Sequence, residues 1–230
     1  MRIILTTAIA LVAGFAGAAA WDYAGLGPDR TREALLANPE ILPEAMQELQ
    51  RRDMVARIEP LRDELEAPFP GAVLGNPDGE ITLVEFTDYA CGYCRMSLDH
   101  VNQLIADNPD LRVVIREYPI LSAGSAAAAR MALAAAEQGR FEEFHSAMFA
   151  AESLSAENIE LAARQSGVDV ERAQAAIDAG LYDSQLQNNM FLAQNMGLSG
   201  TPAWVVGDQV LSGAVGTETL NAAVAEARDS

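Results

Sequence analysis

The chain contains no lysine; all 15 of its basic residues are arginine, set against 33 aspartates and glutamates. Schiff-base and lysine-base chemistry are thereby excluded. The acid excess gives a formal net charge of −18 over 230 residues, which repels nucleic acid and anionic lipid surfaces and reads as a solvated exterior. Histidine is nearly absent, with only His100 and His145, and the only cysteines are Cys91 and Cys94. A structural zinc site wants four Cys or His ligands, so one cysteine pair and two scattered histidines argue against it. A framework of several disulfides is excluded. Long apolar runs are missing too. The best, Ile3 to Phe15, falls short of the roughly 20 residues a spanning helix needs.

That run follows Arg2 and leads to Ala18-Ala19-Ala20 before Trp21, the layout of a secretory signal peptide over residues 1–20. The expectation is an exported, periplasmic protein with no membrane insertion after signal cleavage; an uncleaved anchor is the weaker alternative. In an oxidising compartment a lone cysteine pair at this spacing is more often catalytic than structural. A bridge closing so short a loop would also constrain the unfolded chain little.

The two cysteines stand as Cys91-Gly92-Tyr93-Cys94, directly after the apolar run Ile81 to Phe86 and before a segment of helical pattern. Backbone N–H groups and the dipole at a helix N-terminus stabilise a thiolate, and thiolate is the nucleophile in disulfide exchange. Cys91 therefore reads as the attacking thiol and Cys94, one turn inward, as the resolving one. The metal this pair suits is a two-coordinate soft ion, so Cu(I) sequestration on the same dithiol is the alternative. Tyr93 lacks the positive charge a histidine could bring between the cysteines, which predicts a less extreme oxidant.

Three parts follow from the pattern. Residues 21–67 are charged and helix-favouring, without strand pattern. In them Leu42, Ala45, Met46 and Leu49 form one apolar stripe, and Val55, Ile58, Leu61 and Leu65 another. Pro60 should end or kink the helix near Glu59. The apolar edge must bury itself against the main domain or against copies of itself, so residues 29–66 are a candidate oligomerising segment. Residues 68–230 form the main domain. There the sequence predicts a short strand over Ala72–Leu74, a turn at Asn76-Pro77-Asp78-Gly79, a strand over Ile81–Thr87, and a helix from Cys91 to about Asp107. A strand over Leu111–Glu117, a helical insertion about 120–197, a hairpin of Ala203–Val206 and Gln209–Ser212, and a closing helix complete it. This order is an α/β, thioredoxin-like layout with an inserted helical domain.

Around the dithiol, Thr201-Pro202 opens the hairpin from a glycine-flanked turn and is a candidate cis peptide. In this layout the loop lies beside the cysteines, where a backbone edge can pair with an extended substrate, and Tyr93 adds a contact surface. Glu85 shares strand parity with Ile81 and Leu83, which points its carboxylate into an apolar layer; burial would raise its pKa and make it a proton relay. Arg116, near the end of the next strand, is a candidate partner for Glu85. His100 is expected on a helix surface and His145 within the helical block. Met131, Met148, Met190 and Met196 are expected as core rather than copper ligands, and Trp204 as a core aromatic.

Glu85 six residues before the first cysteine, Cys91-Gly92-Tyr93-Cys94, Arg116-Glu117-Tyr118-Pro119 and Gly200-Thr201-Pro202 together resemble the DsbA family of thiol:disulfide oxidoreductases over about residues 70–230. Leu35 to Glu40 and Glu44 to Gln47 look like the N-terminal region of the ScsC copper-sensitivity suppressor branch. The resemblance implies a disulfide isomerase or oxidase acting on exported proteins, recycled by a membrane redox partner and needing no cofactor. The ScsC likeness implies oligomerisation through the N-terminal segment, with several active sites facing one cavity.

Overall fold

Ile81–Thr87 forms the central strand of a mixed five-stranded sheet, and the computed structural model, which describes residues 2–23 and 28–229, builds the domain around it. In chain order the helices are α1 (Arg2–Tyr23), α2 (Pro28–Ala37), α3 (Ile41–Ile58) and α4 (Arg62–Glu66), and they precede the strands β1 (Val73–Gly75) and β2 (Ile81–Thr87). Next come α5 (Gly92–Asp107), β3 (Leu111–Glu117), and five helices: α6 (Ala123–Glu137), α7 (Phe141–Ala150), α8 (Ala156–Gln165), α9 (Val170–Asp178) and α10 (Asp183–Asn195). The strands β4 (Ala203–Val206) and β5 (Gln209–Ser212) and the helix α11 (Thr217–Asp229) close the chain.

The strand order is β1-β3-β2-β4-β5. Only β2 and β3 run parallel, joined by the crossover helix α5; the other pairs are antiparallel. Residues of alternate parity face opposite layers. On one face Leu83 and Glu85 pair with Val113 and Ile115 and, across the other edge, with Val206 and Trp204. This face packs on Val101 and Leu104 of α5, Leu220 and Val224 of α11, and Phe144 and Phe149 of α7. On the other face Val84, Phe86, Val114 and Val205 pack on Leu192, Ala193 and Met196, with Ile58 and Leu65 completing the layer. Fully buried Trp204 anchors the hairpin by donating its indole N–H to the Gly213 carbonyl at 3.0 Å.

The chain divides into two compact units, Met1–Gln50 and Arg51–Ser230. Within the second, Pro60 does what its ring dictates: α3 stops at Ile58, Glu59–Leu61 make a single 3-10 turn, and α4 resumes at Arg62. The second apolar stripe serves the main domain, since Ile58 and Leu65 are both wholly buried. In the first unit Leu42, Met46 and Leu49 remain more than half exposed, at 52%, 57% and 56%. The junction expected after residue 20 lies inside α1, which continues to Tyr23.

A tight turn joins α4 to the sheet. The Ala72 N–H donates to the Phe69 carbonyl at 2.9 Å around Pro70-Gly71, with Gly71 at φ +85°. A side chain there would need a strained backbone and would run into the Ala136 carbonyl. The β1 strand is one residue later than the sequence suggests, because Ala72 gives its carbonyl to the Ile115 N–H outside the regular ladder.

Candidate active site

The dithiol sits where β2 ends and α5 begins. Cys91 is the N-cap of α5, in extended conformation with φ −82° and ψ 114°, and Cys94 is the third helical residue. Both are reduced. Cys91 donates its thiol hydrogen to the Thr201 carbonyl at 3.2 Å, and the Thr201–Pro202 peptide bond is cis. The loop that supplies this carbonyl covers the thiol more than the sequence implied: Cys91 is 7% exposed, against 1% for Cys94. The order of access is as expected, with the first sulfur outermost.

Asp88 shapes the rim. One carboxylate oxygen accepts from the Ala90 N–H at 2.8 Å, and the other from the Ile120 and Leu121 N–H groups at 2.9 Å each. The loop before the dithiol and the loop after β3 are thus tied to one side chain. Tyr93, Met96 and Leu121 stand on this side with 62%, 60% and 54% exposure.

Beneath the cysteines the sheet ends in polar residues rather than apolar ones. Glu85, Thr87 and Glu117 share one face, because Glu85 pairs with Ile115 and Thr87 with Glu117 in the parallel ladder. All three are buried. Burial pushes the Glu85 carboxyl up to about 8, with the Thr87 hydroxyl pulling weakly the other way. The Cys94 thiol is raised far above its ordinary value, by burial first and the nearby Glu85 carboxylate second. The Thr87 and Thr201 hydroxyls and the Asp88 backbone oppose that rise. Glu117 is likewise pushed well up by burial, with Asp88 and Glu85 adding to the effect. It accepts from the Tyr89 hydroxyl at 3.0 Å, and that hydroxyl also meets His145 Nδ1 at 2.9 Å. His145 itself is held neutral by burial, its pKa lowered to about 3.

Arg116 does not partner Glu85. Parity places it with Phe86 on the opposite face, where its guanidinium donates to the carbonyls of Glu64, Leu65 and Ala67 and to Asn189 Oδ1. It is a cation at the C-terminal end of α4, positioned to satisfy that helix's last carbonyls. The structure therefore brings Cys91, Cys94, Glu85, Thr201 and Pro202 together and leaves Arg116 out. It adds Thr87, Asp88, Tyr89, Glu117 and His145. Met131, Met148 and Met196 are buried core, and Met190 packs partly buried against the cluster that holds Met196. His100 is half-buried on α5.

A dithiol at the start of the helix that follows the central strand, facing a loop that opens the antiparallel hairpin, defines a thioredoxin-like redox domain. The chain belongs to the DsbA-like thioredoxin domain family, whose model matches residues 82–225. A second model, the copper resistance protein ScsC N-terminal domain, matches residues 31–54. Among solved structures, a thioredoxin-like oxidoreductase from Silicibacter pomeroyi is 40% identical with a TM-score of 0.70, covering 74% of this chain and 98% of that one. ScsC from Proteus mirabilis in a transitional conformation is 29% identical with a TM-score of 0.66, covering 86% and 93%. The thiol-disulfide exchange protein alpha-DsbA2 from Wolbachia pipientis is 26% identical with a TM-score of 0.70, covering 77% and 97%. Among curated proteins, the Na(+)/H(+) antiporter NhaA 3 of Salinispora tropica is 28% identical over 207 residues, 89% of this chain. The chain spans only 29% of that antiporter's length. No helix of the described residues is long and apolar enough to cross a membrane.

Proposed function

We propose that this protein is a periplasmic thiol:disulfide oxidoreductase that acts on disulfides of exported proteins, as isomerase or oxidase. The observation that carries the reading is the arrangement of the pair. The Cys91 thiol is outermost and hydrogen-bonded to the Thr201 carbonyl, while Cys94 lies sealed one turn behind it above a buried carboxyl. In this reading the Cys91 thiolate attacks a substrate disulfide and forms a mixed disulfide. Cys94 then attacks the Cys91 sulfur, releasing the second substrate thiol and leaving the Cys91–Cys94 disulfide. Glu85 takes up or returns the proton of Cys94. Thr201 and Pro202 with Tyr93 dock the substrate chain; the exposed Met96 and Leu121 extend the same apolar rim.

Residues 1–20 act as the signal peptide, residues 21–67 as an N-terminal helical segment and residues 68–230 as the redox domain. A membrane redox partner recycles the dithiol. The match of residues 31–54 to the ScsC N-terminal model, together with the exposed stripe of Leu42, Met46 and Leu49, supports oligomerisation through this segment. Several dithiols in one assembly favour reshuffling over simple oxidation. The test is reactivation of a scrambled, disulfide-bonded protein: Cys91→Ser is expected to lose the activity, and full activity in that variant contradicts the assignment.

The copper-resistance description of the N-terminal match favours one second reading, in which the same two thiols take Cu(I). Titration of the reduced protein with Cu(I) against a competing chelator separates the two. Binding that survives the chelator supports a carrier; loss of the ion to the chelator removes that reading.

A further inference from the structure

Thr87 is wholly buried, at the last position of β2, two residues past Glu85 and on the same face of the sheet. Its hydroxyl is sealed from solvent and has no hydrogen bond of standard geometry. An orphaned buried hydroxyl is destabilising unless another state of the protein satisfies it. Thr87 shares its face of β2 with Glu85 and ends the strand that leads into the first turn of α5, where Cys94 lies; the Glu85 carboxyl and the Cys94 thiol both feel its hydroxyl. The Thr201 hydroxyl is also buried and unsatisfied; it acts on Cys94, but Glu85 is not among the groups it influences. Valine, which is isosteric with threonine, would fit this β-branched, apolar strand position without an orphaned group.

We propose that Thr87 is a positioning residue of the resolving step, its rotatable hydroxyl bridging Cys94 and Glu85 and carrying the proton between them. The inference rests on the reading of Glu85 as proton relay. When Cys94 resolves a mixed disulfide, the ionised form of Glu85, which a protonated Glu85 reaches by giving its proton to water, is the base: the Cys94 S–H proton passes to the Thr87 oxygen as the Thr87 hydroxyl proton passes to the Glu85 carboxylate. The Cys94 sulfur then bonds to the Cys91 sulfur, and the Cys91–substrate S–S bond breaks. The substrate sulfur leaves with the electron pair as thiolate and is protonated by water. In reverse, a substrate thiolate attacks Cys91, the Cys91–Cys94 bond breaks, and the departing Cys94 thiolate is protonated through Thr87 by the Glu85 carboxylic acid. The buried hydroxyl thereby gains a partner in each of these states.

The other titratable groups on this side are Cys91 at the N-cap of α5, Asp88 and Tyr89 from the loop after β2, Glu117 from β3, and His145 from α7. The pH dependence is therefore read in each variant against wild type. Reduced protein is mixed with an excess of a nitrobenzoate disulfide chromogen. The first thionitrobenzoate released reports attack by Cys91 and the second reports resolution by Cys94. Thr87→Val is expected to slow the second phase roughly ten-fold or more and to flatten its pH dependence, leaving the first within about two-fold. Thr87→Ser is expected to restore the second phase, which a purely steric role would not require. Should the valine variant misfold, Thr87→Ala gives the same reading. A second phase within two-fold of wild type in a folded Thr87→Val or Thr87→Ala protein overturns the inference. Glu85→Gln is run alongside. If it slows the second phase and the Thr87 variants do not, only the bridge fails; if Glu85→Gln leaves rate and pH profile unchanged, the relay reading fails and the bridge with it.

Discussion

Glu85 holds a proton that an exposed carboxyl would have lost. Burial lifts its pKa from the ordinary 4.5 to about 8, so between those values the folded chain keeps a proton that the unfolded chain releases. Stability must therefore fall as pH rises through that window, since the unfolded state binds fewer protons there. Glu85→Gln removes the titration. It is expected to stabilise the protein by about 4 kcal/mol near pH 7.5, with the gain fading towards pH 4.5. Urea midpoints across that range check this, and a gain that is constant with pH would show that Glu85 is not buried as a neutral acid. The residues legible in the sequence were those whose signal is local. The Cys91 and Cys94 spacing, the Glu85 parity and the turn before Pro202 are each read within a few positions. Thr87, Asp88, Glu117 and His145 were missed because their roles depend on strand register and distant contacts. His145 reaches Tyr89 from the inserted helices, and Glu117 joins Thr87 only once β3 is set against β2 in register. Arg116 was assigned to the wrong partner for the same reason: proximity along the strand says nothing about which face a side chain takes until parity is tied to a pairing.

At the scale of elements, the boundaries of β2, β3, β4 and β5 follow from alternation and flanking turn residues, and the sheet contains them unchanged. The helical insertion resolves into five helices: Gly139, Gly167 and Gly180 each take positive φ at three of the four breaks, and at the fourth Ser155 caps α8 by accepting from the Asn158 N–H. What pattern alone could not decide was where the two N-terminal stripes go. Both have helical spacing and apolar content; the second is buried between the C-terminal part of α10 and the β2–β3–β4 face. The Arg116 guanidinium fixes that arrangement by taking up the carbonyls at the end of α4. Leu65→Ala is accordingly expected to destabilise the domain by about 2–5 kcal/mol, as for a fully buried leucine. Leu49→Ala, at a half-exposed position, is expected to change the unfolding midpoint of the monomer little. Equal losses from the two, measured below any association threshold, would mean that both stripes pack within one chain.

On the scale of the whole molecule, acidity and arginine-only basicity set the exterior, and the functional asymmetry lies in how the two N-terminal stripes are used. If Leu42, Met46 and Leu49 cover one another between copies, the full chain without its first twenty residues sediments as an oligomer, and removal of residues 29–50 as well gives a monomer. A monomer in both cases removes the basis for isomerase work while leaving the dithiol chemistry intact. That chemistry is the central claim, and trapping tests it most directly. Cys94→Ser protein incubated with a disulfide-bonded peptide, then digested and weighed by mass spectrometry, is predicted to carry half of the peptide on Cys91 through a mixed disulfide. A Cys94→Ser protein that stays unmodified, under conditions where wild type reduces the same peptide, would contradict the account.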